Sequence, residues 1–317
     1  MNEKQKQEIL SAERAVRDNP TDVTLYGELG WAYFDGKQWN KALEAFQRAR
    51  DLDPDSPHPY NAMGRLYYKI GPPEKALEAY RRAIDLDPHN VNSYFGIAIL
   101  HWTKLVNWQA AHQALQEGLA HNPGEPLLMA AVGSTYARSG RFDEAVDAYK
   151  RALDLDPENT FASGMLSIVY LHLDRYEDAI AVCRREIEAE DGNDPRRMLG
   201  YTYDRMGRYD EARAELERAL AFNPDDYEVR ATLAKLYRLA GREAEAEEHL
   251  QRADEEAEQE AEYGHACVAS VSGDVERALA LLRVALEKGQ LQPGWARIDP
   301  EFVYIKDDPR FKALVEG

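Results

Sequence analysis

Apolar residues recur at helical spacing in two successive segments between Val23 and Pro54. They are Tyr26, Leu29, Gly30 and Tyr33 in the first segment and Ala42, Phe46 and Ala49 in the second. Spacings of three and four residues place each set on one face of a helix. Gly36 separates the two segments, and Pro54 ends the unit because its ring disfavours helical geometry at the preceding residue. The pattern therefore predicts a helix, a turn and a second helix.

The same unit recurs along the chain, and its closing prolines Pro54 and Pro88 lie 34 residues apart. The second copy again has an aromatic, a Gly, a Tyr and then Ala, Tyr and Ala before its proline. This spacing resembles that of the tetratricopeptide repeat. The resemblance implies an all-α fold: a right-handed superhelical solenoid of about seven to eight helix-turn-helix repeats with capping helices at both ends.

The repeat pattern also predicts where the units begin and end. Residues 1–22 are expected to form an N-terminal capping helix, and residues 290–317 a C-terminal cap that resembles those closing repeat arrays in bacterial proteins. Residues 23–258 hold the array, and a degenerate eighth repeat follows at 259–289. The predicted repeats are 23–56, 57–90, 91–125, 126–159, 160–192, 193–226 and 227–258.

Two repeats depart from this period. Pro88 and Pro123 lie 35 residues apart, and the pattern places the extra residue between His101 and Trp108. The fifth repeat lacks its closing proline, and a one-residue deletion is expected near Asp191. We therefore expect local irregularity at both points.

Composition limits the classes of partner. A formal net charge of −18 repels phosphate backbones and anionic membrane surfaces. The chain has neither an apolar signal region at its start nor eighteen consecutive apolar residues. Cys183 and Cys267 each fall on an apolar helical pattern, which is typical of free buried thiols. These features predict a cytoplasmic protein that binds neither nucleic acid nor membrane.

Positions 2, 5, 9 and 12 of each first helix form a second stripe, rotated away from the residues that the repeat pattern assigns to the core. In tetratricopeptide proteins this stripe lines the concave groove. Over the first five repeats it is apolar and aromatic, with scattered basic residues, and it turns polar in the sixth and seventh. The predicted groove residues are Trp31, Phe34, Asn61, Arg65, Tyr68, Phe95, Ile99, Trp102, Arg138, Ile168, Leu171, Arg197 and Tyr201.

The stripe has two other interpretations. Trp31, Phe34, Phe95 and Trp102 would need no ligand if they packed between neighbouring helices of a tight superhelix. A subgroup of the family binds the C-terminal carboxylate of chaperones through Lys and Asn at fixed positions. The equivalent positions here are Gly27, Trp31, Ala62, Asn92 and Gly96, so binding of that type is not expected.

The sequence therefore predicts a non-enzymatic scaffold that binds an apolar peptide or helix carrying some acidic groups in the groove of repeats 1–5. No catalytic motif and no metal-ligand spacing occurs, so neither a cofactor nor a metal is expected. The alternatives are a self-assembling structural protein, as a dimer or filament, and an assembly chaperone that holds apolar client segments. The sequence names neither the partner nor the pathway.

Overall fold

The computed structural model describes residues 3–316, and within this range every regular element is a helix. The outer residues of the two predicted caps, 1, 2 and 317, lie outside the described part. Consecutive helices pack as sequential pairs, which confirms the predicted all-α repeat fold. The helices are α1 (Glu3–Asp18), α2 (Val23–Asp35), α3 (Trp39–Leu52), α4 (Pro57–Ile70), α5 (Pro73–Leu86), α6 (Val91–Leu100), α7 (Trp108–His121), α8 (Pro126–Arg138), α9 (Phe142–Leu155), α10 (Thr160–His172), α11 (Tyr176–Ala189), α12 (Asn193–Arg205), α13 (Tyr209–Phe222), α14 (Tyr227–Leu239), α15 (Glu243–Ala257), α16 (Ala261–Val271), α17 (Val275–Glu287), α18 (Pro293–Ala296) and α19 (Pro309–Glu316).

A glycine in the first helix of a pair lets the second helix approach closely. A Cβ on Gly30 would lie 2.2 Å from the Phe46 ring, and one on Gly64 would lie 2.6 Å from the Tyr80 ring. Phe46 and Tyr80 are themselves buried. The Leu-Gly or Met-Gly step of the repeat is therefore a packing requirement, because any side chain there would displace the aromatic ring.

The turn inside most pairs places one residue in the left-handed conformation just before the second helix. Gly140 and Gly207 fill this position with φ of +80° and +75°. In the first repeat Lys37 takes it with φ of +55°, while the preceding Gly36 has φ of −76°. The sequence pattern marks Gly36 as the turn, but the residue with positive φ is the next one, Lys37.

The extra residue of the third repeat is absorbed by a π-helical turn at His101–Leu105, directly after α6. The amide of Val106 donates to the carbonyl of His101, and Val106 has φ of +46°. A π-turn inserts one residue without ending the helix. The structure thereby confirms that the insertion lies between His101 and Trp108.

The connection between α11 and α12 comprises residues 190–192, whereas the corresponding connection between α9 and α10 comprises residues 156–159. The one-residue deletion of the fifth repeat therefore falls in this shorter turn. α12 begins immediately after Gly192, which has an extended backbone conformation.

The helices group into two compact units. Unit 1 ends at Ala131 and unit 2 begins at Val132. In unit 1, α1 packs on the first repeat through Ile9, which is buried beside Leu29 and Tyr33. In unit 2, residues 293–316, named here the C-terminal segment, pack on α16 and α17 through Phe302 and Phe311.

Candidate binding surfaces

In unit 1 the predicted stripe begins with an aromatic cluster on the first repeat. The Trp31 ring meets Phe46 edge-on at a centroid distance of 5.1 Å and Phe34 at 5.3 Å. The Arg65 guanidinium of α4 lies over Trp31 at 4.6 Å from the ring centroid. Trp31 and Phe34 are partly exposed, and Arg65 is exposed. The cluster therefore packs on one side and presents aromatic and cationic surface on the other.

The second repeat connects this cluster to the third. Asn61 donates a hydrogen bond of 3.0 Å to the Ser93 hydroxyl on α6. The Tyr68 hydroxyl accepts from the Thr103 hydroxyl at 3.3 Å, and the Lys104 ammonium lies 5.8 Å from the Tyr68 ring centroid. These contacts join the stripe positions of α4 to those of α6 and its π-turn, so the stripe is continuous over three repeats.

The remaining residues of the unit 1 stripe lie on the third repeat, and they differ in solvent exposure. Trp102 is 3% exposed and meets Phe95 edge-on at 6.3 Å. Phe95 and Ile99 are partly exposed. Trp102 therefore belongs to the packed interior, where the π-turn positions it, whereas Phe95 and Ile99 retain accessible surface.

In unit 2 the equivalent stripe is in contact with the chain's own C-terminal segment. The Arg138 guanidinium lies 4.7 Å from the Trp295 ring centroid. Arg297 donates hydrogen bonds of 2.7 Å to the backbone carbonyls of Arg138 and Val315. One guanidinium thus connects the end of α8 to α19.

The C-terminal segment also contacts α10, α12 and α14. Lys306 donates to the His172 carbonyl at 2.7 Å and to the Asp174 carboxylate at 2.8 Å. The Tyr304 hydroxyl donates to the buried carboxylate of Asp204, which also pairs with Lys235. The Lys235 ammonium lies 4.1 Å from the Tyr304 ring centroid.

The predicted groove residues of unit 2 are mostly covered. Ile168, Leu171 and Tyr201 are 8%, 0% and 1% exposed. Arg197 is partly buried and forms ion pairs with Glu228 and Asp194. The predicted residues therefore occupy two environments: an accessible stripe in unit 1 and a stripe in unit 2 that the C-terminal segment contacts.

A cluster of buried acids lies where the C-terminal segment meets α12 and α14. Asp299 and Glu301 are each 2% exposed, and Tyr263 donates to Asp299 at 2.7 Å. Burial, followed by the charge of Asp299, raises the pKa of Glu301 well above its usual range. Burial, followed by the charge of Glu301, raises the pKa of Glu228 to about 8, although Arg197 opposes this increase.

Sequence reasoning missed Asp299, Glu301, Tyr304 and Lys306 as members of a site. The repeat pattern carries no information on residues outside the repeats. The available signal was the density of aromatic and charged residues in PGWARIDPEFVYIKDDP. Among residues 3–316, no helix is both long and apolar enough to cross a bilayer.

Comparison with known families gives two matches. A family described as "Cilia and flagella-associated protein 70 C-terminal domain" matches residues 55–269, and one described as "TPR repeat" matches residues 30–71. Human RNA polymerase II-associated protein 3 is 24% identical over 128 residues, which cover 38% of this chain and 18% of that protein. Protein bimA of Emericella nidulans is 28% identical over 102 residues, covering 32% and 13% respectively. The chain thus matches less than a fifth of the length of either relative.

Solved structures share the fold. The chain in the crystal structure of the APC/C hetero-tetramer Cut9-Hcn1 superposes with a TM-score of 0.61 at 16% identity, covering 88% of this chain and 52% of that one. PilW, a type IV pilus biogenesis factor, gives 0.54 at 17% identity, covering 64% and 94%. Pseudomonas aeruginosa PilF gives 0.52 at 16% identity, covering 64% and 92%. At these sequence identities the similarity shows a shared fold alone.

Proposed function

This chain belongs to the family of the cilia and flagella-associated protein 70 C-terminal domain, a tetratricopeptide repeat family, and we propose that its unit 1 stripe binds an apolar segment of a partner protein. Tetratricopeptide repeat proteins are generically scaffolds for protein interactions. The observation that carries the proposal is the Arg65 guanidinium over the partly exposed Trp31 ring, 4.6 Å from its centroid. Aromatic and Arg side chains are enriched among the residues that dominate binding energy.

The chemistry of the stripe defines the expected partner. Phe34, Phe95 and Ile99 offer apolar surface, while Arg65 and Lys104 are exposed cations beside it. A segment with apolar or aromatic side chains and an acidic group complements both features. The local cations on this surface favour acidic over basic segments at short range, whereas the net charge of −18 acts in the opposite direction at long range.

The contacts of unit 2 support this choice. There the C-terminal segment stacks Trp295 on Arg138 and Tyr304 on Lys235, both cations of the equivalent stripe. A partner segment on unit 1 would place an aromatic side chain on Arg65 in the same manner. The C-terminal segment thus serves as an intramolecular example of the aromatic-on-cation recognition proposed for unit 1.

The proposal is tested by selecting binders from a library of random peptides displayed on phage against the purified chain. Enrichment of peptides that combine aromatic and acidic residues is expected. A selected peptide should lose roughly tenfold or more in affinity with Arg65→Ala or Trp31→Ala, since residues of this kind contribute about 2 kcal/mol or more. Arg283→Ala, on the exposed face of α17, is the matched control. Equal affinity in all three variants would refute the proposal.

We further propose that the chain is non-enzymatic and cytoplasmic, the latter because Cys183 and Cys267 are both buried free thiols. Self-assembly and client holding are the alternative functions. Light scattering over a concentration series distinguishes self-assembly from the other two functions, because self-assembly predicts a molecular mass that grows with protein concentration. Client holding predicts that peptides of unrelated sequence bind the unit 1 stripe equally well.

A further inference from the structure

We propose that unit 2 contains a second binding site, a cavity beside Glu301 that takes an ammonium or guanidinium group carried on an apolar body. The cavity measures about 870 Å³ and lies between α10, α11, α12 and the C-terminal segment. This volume is within the range of roughly 300–1,000 Å³ that is typical of ligand sites. The inference is independent of the unit 1 stripe.

The buried end of the cavity contains an acid with an unsatisfied oxygen. Glu301 is 2% exposed, lines the cavity, and its Oε1 atom has no hydrogen-bond partner among the described residues. Asn193, also in the wall, has its Oδ1 atom buried without a partner. Both atoms are acceptors, and leaving a buried acceptor unpaired costs about 1–3 kcal/mol. A ligand that donates hydrogen bonds would remove this cost.

The charge of the lining selects a cation. Seven carboxyl side chains line the cavity against two guanidinium groups. Of those two, Arg197 is already paired with Glu228 and Asp194, and Arg185 donates to the Pro157 carbonyl. Burial raises the pKa values of Glu186, Glu228 and Glu301, but the other four carboxyl groups still outnumber the two guanidinium groups. The net charge of the wall is therefore negative, and a cationic ligand is attracted to it while an anionic one is repelled.

The remaining wall selects an apolar body. The cavity lining includes the apolar and aromatic side chains of Phe161, Ile168, Met198 and Trp295. Exposed residues, including Glu158 and Asp194, form the rim, so the cavity leads from solvent to the buried Glu301. Among residues 3–316, no group of three or more His, Cys, Asp or Glu side chains is arranged to hold a metal ion. An organic cation is thus the fitting ligand class.

A cation of this class comes either from a Lys or Arg side chain of a protein segment or from a free amine. The Nε atom of Arg197 is a buried donor without a partner among the described residues. A peptide brings a backbone carbonyl close to its basic side chain and can accept from this atom, whereas a simple alkylamine cannot. The two sources are therefore distinguishable by experiment.

The test is calorimetric titration of the full chain with an acetylated Leu-Lys-Leu amide, and with the same peptide carrying norleucine in place of lysine. Norleucine retains the aliphatic chain and removes the ammonium group. We expect the lysine peptide to bind at least about tenfold more tightly, because a buried charge interaction is lost in the other. Equal affinity of the two peptides would overturn the proposal without any protein variant.

Protein variants then locate the site. A bound ammonium group favours loss of the Glu301 proton, and Gln cannot ionise in this way. Glu301→Gln should therefore weaken the lysine peptide about tenfold, while Glu256→Gln should not. Glu256 is a fitting control because it also has a buried unpartnered oxygen but does not line the cavity. Unchanged binding in folded Glu301→Gln would overturn the assignment. If circular dichroism shows that this variant does not fold, Phe161→Ala replaces it. Phe161 is partly exposed and lines the cavity, so its replacement should also weaken the lysine peptide.

Titration with n-hexylamine shows whether the cation comes from a protein segment or from a free amine. Binding of hexylamine with an affinity equal to that of the lysine peptide assigns the cavity to free amines. Binding of the peptide alone assigns it to a protein segment. Absence of binding by both overturns the proposal. A peptide selected for the unit 1 stripe should remain bound in Glu301→Gln, so failure at one site is distinguishable from failure at the other.

Discussion

Arg297 donates a hydrogen bond of 2.7 Å to the backbone carbonyl of Arg138, which lies 159 residues earlier in the chain. The same guanidinium donates to the Val315 carbonyl, so a single side chain ties the C-terminal segment to α8 and to its own last helix. Both acceptors are backbone atoms. Their recognition therefore depends on the path of the chain rather than on a complementary side chain.

Replacing Arg297 should destabilise unit 2. Arg297→Met removes two hydrogen bonds from a charged donor, each contributing roughly 1.5–3 kcal/mol, while retaining most of the apolar stem. We expect a loss of about 3–6 kcal/mol in the free energy of unfolding, measured by urea denaturation. Arg283→Met, exposed on α17, is the control and should change stability by less than about 0.5 kcal/mol. Equal losses in the two variants would show that these hydrogen bonds contribute nothing.

The titration of His172 reports whether the C-terminal segment is docked on α10. Burial, followed by the charge of Lys306, lowers the pKa of His172 to about 4. Lys306→Met removes the charge and the hydrogen bonds to the His172 carbonyl and Asp174. We therefore expect the pKa of His172, measured by NMR titration, to rise toward its ordinary value of 6.5. The exposed Lys312 is the control position, and Lys312→Met should leave the pKa unchanged.

The acid cluster should make the folded chain less stable at high pH. Glu228 keeps its proton up to a pKa of about 8 in the folded chain, whereas its ordinary value is 4.5. The folded state therefore binds more protons between these values, and the free energy of unfolding falls as pH rises from about 4.5 to about 8. Asp299 and Glu301 have raised pKa values and contribute with the same sign.

Thermal denaturation at pH 7 and pH 9 measures this effect. The midpoint of the wild-type chain should be lower at pH 9, and the difference should shrink in Glu228→Gln, which cannot ionise. Glu247→Gln, an exposed substitution on α15, should retain the wild-type difference. A midpoint difference that is the same in all three proteins would contradict the assignment to Glu228.

The helices of this fold follow directly from the sequence, whereas its binding surfaces follow only in part. Residues such as Phe46 and Gly30 repeat with a fixed period, so each copy reinforces the prediction of the others. The stripe containing Trp31 and Arg65 is also periodic, and its existence could be predicted. That Trp102 is buried and Ile99 partly exposed depends on a π-turn whose geometry no periodicity specifies.

The contacts within unit 2 are harder to predict from the sequence. Arg297 and Lys306 bind backbone carbonyls 159 and 134 residues away, and no spacing in the sequence encodes such pairs. The cavity beside Glu301 likewise combines α10, α11 and α12 with a segment outside the repeats. Sequence reasoning predicted residues 290–317 as a C-terminal cap but gave no indication of contacts with α8, α10 or α12.

Val106 is a strained position that a single substitution should relieve. Its φ of +46° and ψ of +48° are left-handed values, which a β-branched residue rarely adopts. The side chain is 44% exposed, so its removal forfeits little burial. Val106→Gly should raise the thermal midpoint, with a gain of about 1 kcal/mol, because glycine takes this conformation without steric cost. Val106→Ala retains a Cβ and should gain less; a ranking of Ala above Gly would show that strain at φ is not the cause.

Two glycines three residues apart on α2 give a direct test of the packing rule. A Cβ on Gly30 would lie 2.2 Å from the Phe46 ring, whereas one on Gly27 would have no atom within 4 Å. Gly30→Ala should therefore cost about 1–3 kcal/mol through overpacking. Gly27→Ala should stabilise the chain by about 0.5–1 kcal/mol, since alanine favours the helix over glycine. Urea denaturation of both variants separates the effects by sign, because helix propensity alone predicts the same gain at both positions. A stabilised Gly30→Ala would mean that the Phe46 ring can move, and that the glycine of the repeat is not required for close helix packing.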